Sequence, residues 1–263
     1  MKHNLKITIA LILLFFFAQF AGLLVIKNYM ANEKLPFDIE RPEFDQNTSY
    51  IPIIIAIIIG TLIALFLARF KAVRLWKFWF FISVFFTLLI AFGSFMNENL
   101  AFIVALGFAI LKVFRPNFVV QNFSELFIYA GLAAIFVPVL NLWSISILLI
   151  VISIYDMWAV WKTKHMVKLA EFQTESNLFA GLHLPYGDKK VAIIGGGDIG
   201  FPLMFSGVIL KTYGLTSALI ATVFITLSLT ALLIYSKKNK FYPAMPFLAI
   251  GCFVGYLVIR LLA

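Results

Sequence analysis

The sequence predicts an all-α polytopic membrane protein in which nine transmembrane helices form one membrane domain over residues 1–263. Composition is the first reason, because 63% of the residues are hydrophobic and only 13% are charged, whereas a soluble domain carries roughly 25% charged residues. The second reason is that apolar runs of membrane length follow one another along nearly the whole chain. The single cysteine, Cys252, lies in one of these runs, which excludes a disulfide within the chain.

Nine apolar runs locate the predicted spans. The first, Leu5–Ile26, follows a basic start as a signal peptide would, but about 22 residues suffice to cross a bilayer, so we expect a retained helix. The fourth run is short and requires little tilt or a thinner bilayer. An inside loop over residues 162–190 separates the sixth and seventh spans. The spans lie at about 5–26, 51–68, 76–93, 100–114, 118–138, 142–161, 191–210, 215–235 and 244–262.

The lysines and arginines predict the orientation in the membrane. With the N-terminus inside and the C-terminus outside, sixteen of the 21 basic residues fall inside and five outside, in agreement with the positive-inside rule. The net charge of +9 therefore belongs to short loops beside lipid headgroups, and we expect no nucleic-acid partner. The first outside loop also contains the glycosylation sequon Asn47-Thr48-Ser49. The five outside residues are Lys27, Lys34, Arg41, Lys211 and Arg260.

A glycine cluster opens the seventh span. Gly195, Gly197 and Gly200 have the G-x-G-x-x-G spacing of a dinucleotide-binding turn. Such a domain needs an acidic residue about 20 positions further on to bind the ribose, and no Asp or Glu follows Asp198. The next residues instead continue an apolar run of membrane length. We therefore interpret Asp198 as an acid inside a membrane span, with no cofactor.

Only two of the 12 acidic residues need a special explanation. Most of the others lie in loops, and Glu125 lies near the inner end of the fifth span beside Gln121 and Asn122, where an interfacial position accounts for it. Asp156 and Asp198 remain, both within predicted spans, where a charged group costs several kcal/mol.

The two aspartates are predicted to lie at a similar depth. Asp156 precedes Lys162 by roughly 9 Å of helix, and Asp198 follows Lys190 by roughly 12 Å. The two spans are consecutive and antiparallel, so both carboxyl groups fall in the inner half of the membrane. The alternative is two unrelated buried polar residues. A close pair in a nonpolar site holds one proton near neutral pH, so that one member can take a proton from water and the other can donate to a carbonyl oxygen.

Three short motifs lie on the sixth, seventh and ninth spans. They are Tyr155-Asp156, the glycine cluster Gly195–Gly197 followed by Asp198, and Pro243-Ala244-Met245. In type and order they resemble the Y-D, G-x-G-D and P-A-L motifs of the presenilin and signal peptide peptidase family of intramembrane aspartyl proteases. The resemblance covers spans six to nine, whereas spans one to five match only in number and length. Met245 stands where the family has leucine, a change of similar volume.

The resemblance implies a presenilin-like fold and an aspartic endopeptidase that cleaves transmembrane peptide substrates within the bilayer. It implies that Asp156 and Asp198 form the catalytic dyad and that no cofactor or metal takes part. Presenilins act in a multi-subunit complex and signal peptide peptidases act alone. Because the loop 162–190 is short, we favour activity without accessory subunits. The residues implied to line the site are Tyr155, Gly195, Gly197, Pro243, Ala244 and Met245.

Other features of the last spans give local expectations. Pro202 removes the N–H that would bond the Asp198 carbonyl, so we expect a looser helix there. The extended run Leu184–Ile194 is predicted either to add a strand to an unwound substrate or to be an interfacial loop. Gly251 and Gly255 form a G-x-x-x-G helix-packing face.

Other classes of membrane protein can be compared by the residues that each one requires. A serine-type intramembrane protease needs a histidine near its serine, and His3, His165 and His183 all lie outside the predicted spans. A zinc type needs H-E-x-x-H, which is absent. A proton-coupled transporter or channel that uses Asp156 and Asp198 as a relay is the main alternative. A membrane chaperone or scaffold with incidental acids is the third class.

Overall fold

The structure, a computed structural model, describes residues 4–31, 34–163, 178–186, 190–236 and 242–262. Within these ranges it contains nine α-helices and one two-stranded antiparallel sheet, the hairpin. The helices are α1 (Leu5–Ala31), α2 (Tyr50–Arg69), α3 (Val73–Gly93), α4 (Glu98–Phe114), α5 (Phe118–Phe136), α6 (Leu142–Trp158), α7 (Gly196–Tyr213), α8 (Leu215–Tyr235) and α9 (Met245–Leu262), and the strands are β1 (Gly181–Tyr186) and β2 (Lys190–Gly195).

Among the residues that the structure describes, seven segments are long and apolar enough to cross a membrane. The two helices outside this group are α4, which has 17 residues, and α7, whose first turn carries two glycines and Asp198. The all-helical bundle is thus confirmed, whereas length and hydropathy support seven of the nine predicted spans. The seven segments are Leu5–Ala31, Tyr50–Arg69, Val73–Gly93, Phe118–Val139, Leu142–Lys162, Leu215–Tyr235 and Met245–Leu262.

The seventh predicted span was placed wrongly at its start. Lys190–Gly195 is a strand, and the helix begins only at Gly196. The reason is visible in the local pattern, because Val191 and Ile193 are exposed whereas Ala192 and Ile194 are buried, which is the period of a strand. A strand rises about 3.3 Å per residue, so the depth of Asp198 computed from helical rise was also wrong.

The hairpin replaces the single extended run predicted over Leu184–Ile194. Its two strands pair from Gly181 with Gly195 to Tyr186 with Lys190. Strand β2 therefore leads directly into the first turn of α7. An all-α class omits this sheet, which lies beside the glycine cluster.

The core of the bundle is built around α1 and α7. Leu11, Phe15 and Leu23 of α1 are fully buried, and α1 packs against α5, α7 and α8. All residues from Pro202 to Leu210 of α7 are buried. The predicted first helix is therefore an integral part of the bundle. By contrast, α2 buries only Ile53 and Leu67.

Asparagine side chains mark the starts of three helices. Asn97, Asn117 and Asn141 precede α4, α5 and α6, and each accepts a hydrogen bond from a backbone N–H in the first turn of its helix. Such caps satisfy N–H groups that have no partner within the helix. They account for helix boundaries that hydrophobicity alone does not define.

The glycine pair of α9 lies against α8. A Cβ at Gly251 would lie 2.9 Å from the Cα of Ile225, and one at Gly255 would lie 3.0 Å from the Cα of Ala221. Side chains at these positions would push the two backbones apart. The predicted G-x-x-x-G packing face is thus confirmed, and it holds the helix that begins at Met245.

Candidate active site

Asp156 lies in the last turn of α6 and meets the start of α9. Its Oδ2 accepts a hydrogen bond of 3.1 Å from the backbone N–H of Met245. Met245 is the first residue of α9, so this N–H has no acceptor within its own helix. The backbone amide of Ala244 also acts on the carboxyl group. The segment Pro243–Met245 is therefore in contact with Asp156, and the helix N-terminus stabilises negative charge there.

Asp198 lies in the first turn of α7, immediately after the glycine cluster. Its carboxyl interacts with the backbone N–H of Gly195, the residue that precedes the helix. A Cβ at Gly195 would lie only 3.3 Å from Asp198 Oδ2. Glycine at this position therefore gives the carboxyl room to turn back over the helix start.

The two carboxyl groups share one region of the molecule. Helices α6, α7 and α9 pack against one another, and Asp156 and Asp198 are close enough to interact electrostatically. Both residues are intermediate between buried and exposed. Each carboxyl lies at the N-terminus of a helix, Asp156 at α9 and Asp198 at α7. Two neighbouring carboxyl groups are the kind of pair that general acid–base hydrolysis uses.

The middle residue of the glycine cluster is constrained by packing. A Cβ at Gly196 would collide with the hydroxyl of Tyr129, which belongs to α5. Gly197 is exposed, and a Cβ there would meet only the Phe201 ring, at 3.6 Å. Packing thus requires glycine at 196. At 197 it leaves open space that another chain can approach.

This difference gives a prediction about stability. Gly196→Ala forces Tyr129 to move and should lower the unfolding free energy by about 1–3 kcal/mol, as overpacking does. Gly197→Ala should leave it unchanged or raise it by up to about 1 kcal/mol, because alanine favours a helix. Thermal unfolding of both variants in the same detergent measures the difference. Equal melting temperatures would contradict the packing role of Gly196.

The outer edge of β1 is occupied by side chains of α5. Asn122 accepts from the His183 N–H at 2.9 Å and donates to the His183 carbonyl at 2.8 Å. Gln121 donates to the carbonyls of Phe179 and Gly181 at 2.9 and 3.0 Å. The amides of α5 therefore replace a third strand.

Burial, with a smaller effect from the Lys112 ammonium, lowers the pKa of the His183 side chain below its usual value.

Every second residue of β2 points its backbone N–H and C=O groups away from β1, toward the outer edge of the sheet. The Gly196 N–H donates to the Ala180 carbonyl, so these two residues form a hydrogen-bonded pair. Hydrogen-bonded pairs recur at every second residue of an antiparallel ladder, so Ala192 also belongs to such a pair and its N–H faces β1. The N–H and C=O groups of Val191 and Ile193 therefore point away from β1. Within the part of the chain that the structure describes, no strand pairs with them. We name these backbone groups of Val191 and Ile193 the docking edge.

A buried polar network lies between α4, α5 and the hairpin. Lys112 Nζ lies 2.6 Å from Glu125 Oε1 and 2.7 Å from Gln121 Oε1. Gln121 also donates to Glu125 Oε1 at 3.1 Å, and the Tyr129 hydroxyl donates to Glu125 Oε2. Lys112 and Glu125 are each 1% exposed. Glu125 and Lys112 thus form a buried ion pair, and an interfacial position alone does not account for Glu125.

Sequence reasoning missed this network although a signal was present. Gln121, Glu125 and Tyr129 recur at intervals of four residues, so they form a polar stripe on one face of an otherwise apolar helix. Removing one partner of a buried ion pair costs about 3–5 kcal/mol. The stripe therefore indicates a partner, which is supplied by Lys112 on the preceding helix.

Two further sequence predictions concern Tyr155 and Pro202. The Tyr155 ring is 37% exposed and packs against Trp158 with ring centroids 6.3 Å apart. Helix α7 continues through Pro202, so the expected loosening is not visible as a break. Instead, Gln19 of α1 donates a 2.9 Å hydrogen bond to the Ile199 carbonyl, one residue beyond the carbonyl whose partner Pro202 removes.

The fold and the site define a polytopic membrane protein with two aspartates at apposed helix N-termini. Comparison with known proteins gives the family. Residues 12–263 match the family model described as "Signal-peptide peptidase, presenilin aspartyl protease". The chain belongs to this family, and it is accordingly an intramembrane aspartyl protease, a multi-pass peptide hydrolase of the bilayer. This assignment gives no support to the transporter alternative.

Solved structures agree with the fold. Two structures titled as a presenilin family intramembrane aspartate protease, in space groups C222 and P2, resemble the chain. The first has a TM-score of 0.72 at 22% identity and covers 97% of this chain and 99% of the other. The second has a TM-score of 0.68 at 23% identity and covers 97% of each. No curated protein matches the chain in sequence.

Proposed function

We propose that Asp156 and Asp198 are the catalytic dyad of this protease and that Pro243–Met245 holds Asp156 in place. The observation that carries the proposal is the hydrogen bond from the Met245 N–H to Asp156, which joins two of the three sequence motifs. Asp198, in the third motif, interacts electrostatically with Asp156.

The proposed reaction uses one ionised and one protonated carboxyl. The ionised aspartate takes a proton from water as the water oxygen attacks the peptide carbonyl carbon, and the protonated aspartate donates to the carbonyl oxygen. Collapse of the tetrahedral intermediate breaks the C–N bond, and a proton returned from the dyad goes to the leaving amine. Because the two groups titrate as a pair, neither is assigned a fixed role.

The proposed substrate is a transmembrane peptide that binds to the docking edge. A transmembrane helix hides its peptide bonds in its own hydrogen bonds, and unwinding it in lipid leaves polar groups unsatisfied at several kcal/mol each. The backbone groups of Val191 and Ile193 can replace those bonds by adding the substrate as a third strand. The next outward N–H along this edge, at Gly195, points to the Asp198 carboxyl. Strand pairing would thus bring a peptide bond to the dyad.

We further propose that all nine helices span the membrane, with the N-terminus inside and the C-terminus outside. Nine spans place the hairpin on the inner side, with the basic loops, and the segment between α1 and α2 on the outer side. Lysine and arginine are more frequent in the segments assigned to the inside than in those assigned to the outside, and this excess persists when the buried Lys112 is left out of the count.

Cysteine labelling tests the orientation. In a Cys252→Ser background, Glu40→Cys places a thiol on the exposed segment after α1 and Arg115→Cys places one on the exposed turn between α4 and α5. We expect an impermeant maleimide to label intact cells at position 40 only, and to label both positions after permeabilisation. Labelling at 115 alone in intact cells would reverse the assignment.

The purified single chain tests both the activity and the proposed independence from accessory subunits. In detergent with a fluorogenic transmembrane peptide, we expect turnover that an aspartyl-protease transition-state analogue abolishes at stoichiometric concentration. Turnover that the analogue does not affect would contradict the dyad. A folded chain that binds the analogue but cleaves only after a membrane extract is added would contradict the independence from other subunits.

A further inference from the structure

The polar network around Glu125 reaches both halves of the proposed site. Glu125 uses its two carboxylate oxygens in different directions. Oε1 accepts from Lys112 and Gln121, and Oε2 accepts from the Tyr129 hydroxyl. Lys112 also lies 5.8 Å from the centroid of the Phe80 ring, so the cation is held on a further side.

One arm of the network leads to the hairpin. Gln121 binds Glu125 and Lys112, and the same side-chain amide donates to the carbonyls of Phe179 and Gly181. Gly181 begins β1 and pairs with Gly195 of β2. The position of Gln121 therefore determines where the docking edge lies.

The other arm leads to the catalytic turn. The Tyr129 ring covers the first turn of α7, since a Cβ at Gly196 would collide with its hydroxyl and one at Gly200 would lie 3.5 Å from its Cδ1. Tyr129 also interacts electrostatically with Asp198. Its hydroxyl hydrogen bond to Glu125 fixes the ring, and the ring in turn fixes the turn that carries Asp198.

We infer that Glu125 is a positioning residue that sets the docking edge through Gln121 and the catalytic turn through Tyr129, with Lys112 as its neutralising counterion. This inference rests on the proposed roles of Asp198 and the docking edge. A buried ion pair is seldom retained for stability alone, because well-packed apolar residues often serve as well. Here one carboxylate accepts from three donors, of which Gln121 contacts the hairpin and Tyr129 contacts the first turn of α7.

The two arms can be separated by kinetics. Tyr129→Phe removes only the hydroxyl of the catalytic arm, and we expect kcat to fall about tenfold with KM within a factor of about two. Gln121→Met removes the amide that holds the hairpin, together with its bonds to Lys112 and Glu125, but it leaves the Tyr129 bond to Glu125 in place. We expect KM to rise about tenfold with kcat within a factor of about two. Neither substitution leaves a buried charge without its counterion. Glu125→Asp keeps the charge but withdraws the carboxylate, so both constants should change.

Tyr29→Phe is the matched control. The Tyr29 hydroxyl is also buried and donates to a backbone carbonyl, that of Ile90, in contacts that do not involve the hairpin or α7. We expect parent values of kcat and KM for this variant. If Tyr129→Phe does not fold, Gln121→Met and Glu125→Asp still give the comparison.

The kinetic pattern also separates this inference from the proposed function. The positioning role would be overturned if Tyr129→Phe and Gln121→Met both had the parent values of kcat and KM. It would also be overturned if, in each variant, kcat fell and KM rose by the same factor together with a lowered melting temperature. Asp198→Asn is assayed in parallel. Its inactivity beside parent-like arm variants refutes only the positioning role, whereas its full activity refutes the proposed dyad itself.

Discussion

Replacing either aspartate by asparagine should abolish peptide cleavage, with kcat/KM reduced by at least about 10³-fold, since general acid–base catalysis contributes roughly 10²–10⁴-fold. Asparagine cannot take a proton from water or return one to the leaving amine. The fold should survive. An asparagine oxygen at 156 can still accept the Met245 N–H, and one at 198 can still accept the Gly195 N–H.

The control for this experiment is Asp45→Asn. Asp45 is exposed, and its carboxyl accepts from the Asn47 N–H, a role that an asparagine oxygen can also fill. Cleavage of the fluorogenic transmembrane peptide by purified variants, normalised to folded protein by circular dichroism, is the measurement. Residual activity above about a tenth of the parent in either site variant would be incompatible with the general acid–base roles assigned here.

Proline at position 193 should impair substrate binding without disturbing the hairpin. Ile193→Pro removes an N–H on the docking edge, and β2 keeps its pairing with β1 because that N–H points away from it. An unpaired substrate carbonyl in a nonpolar site costs about 1–3 kcal/mol. We therefore expect kcat/KM to fall roughly 10- to 100-fold. The melting temperature should stay close to that of the parent.

Two neighbouring variants give this experiment its controls. Ile193→Ala shortens the exposed side chain but keeps the N–H, so its effect should be mild. Ala192→Pro removes an N–H that faces β1 at a fully buried residue, so it should destabilise the hairpin itself. If Ile193→Pro cleaves at the parent rate while folded, strand addition at this edge is excluded.

Hydrophobic runs predicted the helices because membrane burial imposes a composition that local sequence displays directly. The helix α8 begins and ends within the predicted span at 215–235. The strand Lys190–Gly195 escaped because four apolar residues before a glycine cluster are compatible with either a helix or a strand. Its assignment depends on a partner, β1, whose paired residues lie four or more positions away in the chain.

The predicted site residues were found by a different route. Asp156 and Asp198 were selected as candidates because a charged residue within a membrane span is costly and needs a function or a partner, and Met245 because it lies in a short motif that resembles a known one. Lys112 and Glu125 could not be paired from the sequence, since Lys112 ends one predicted helix in a position typical of a loop charge. Only the packing of α4 against α5 shows that the two charges neutralise each other.

The unpaired edge of β2 also bears on how an enzyme embedded in lipid obtains its second reactant. Peptide hydrolysis consumes one water molecule, and hydrocarbon contains almost none. The N–H and C=O groups of Val191 and Ile193 cannot stay dry in the absence of substrate, because each unsatisfied group would cost several kcal/mol. If substrate adds as a strand at this edge, as proposed, water occupies these groups between substrates. An arriving peptide would then displace that water along the strand and confine the remainder to the end of the edge, beside the two carboxyl groups.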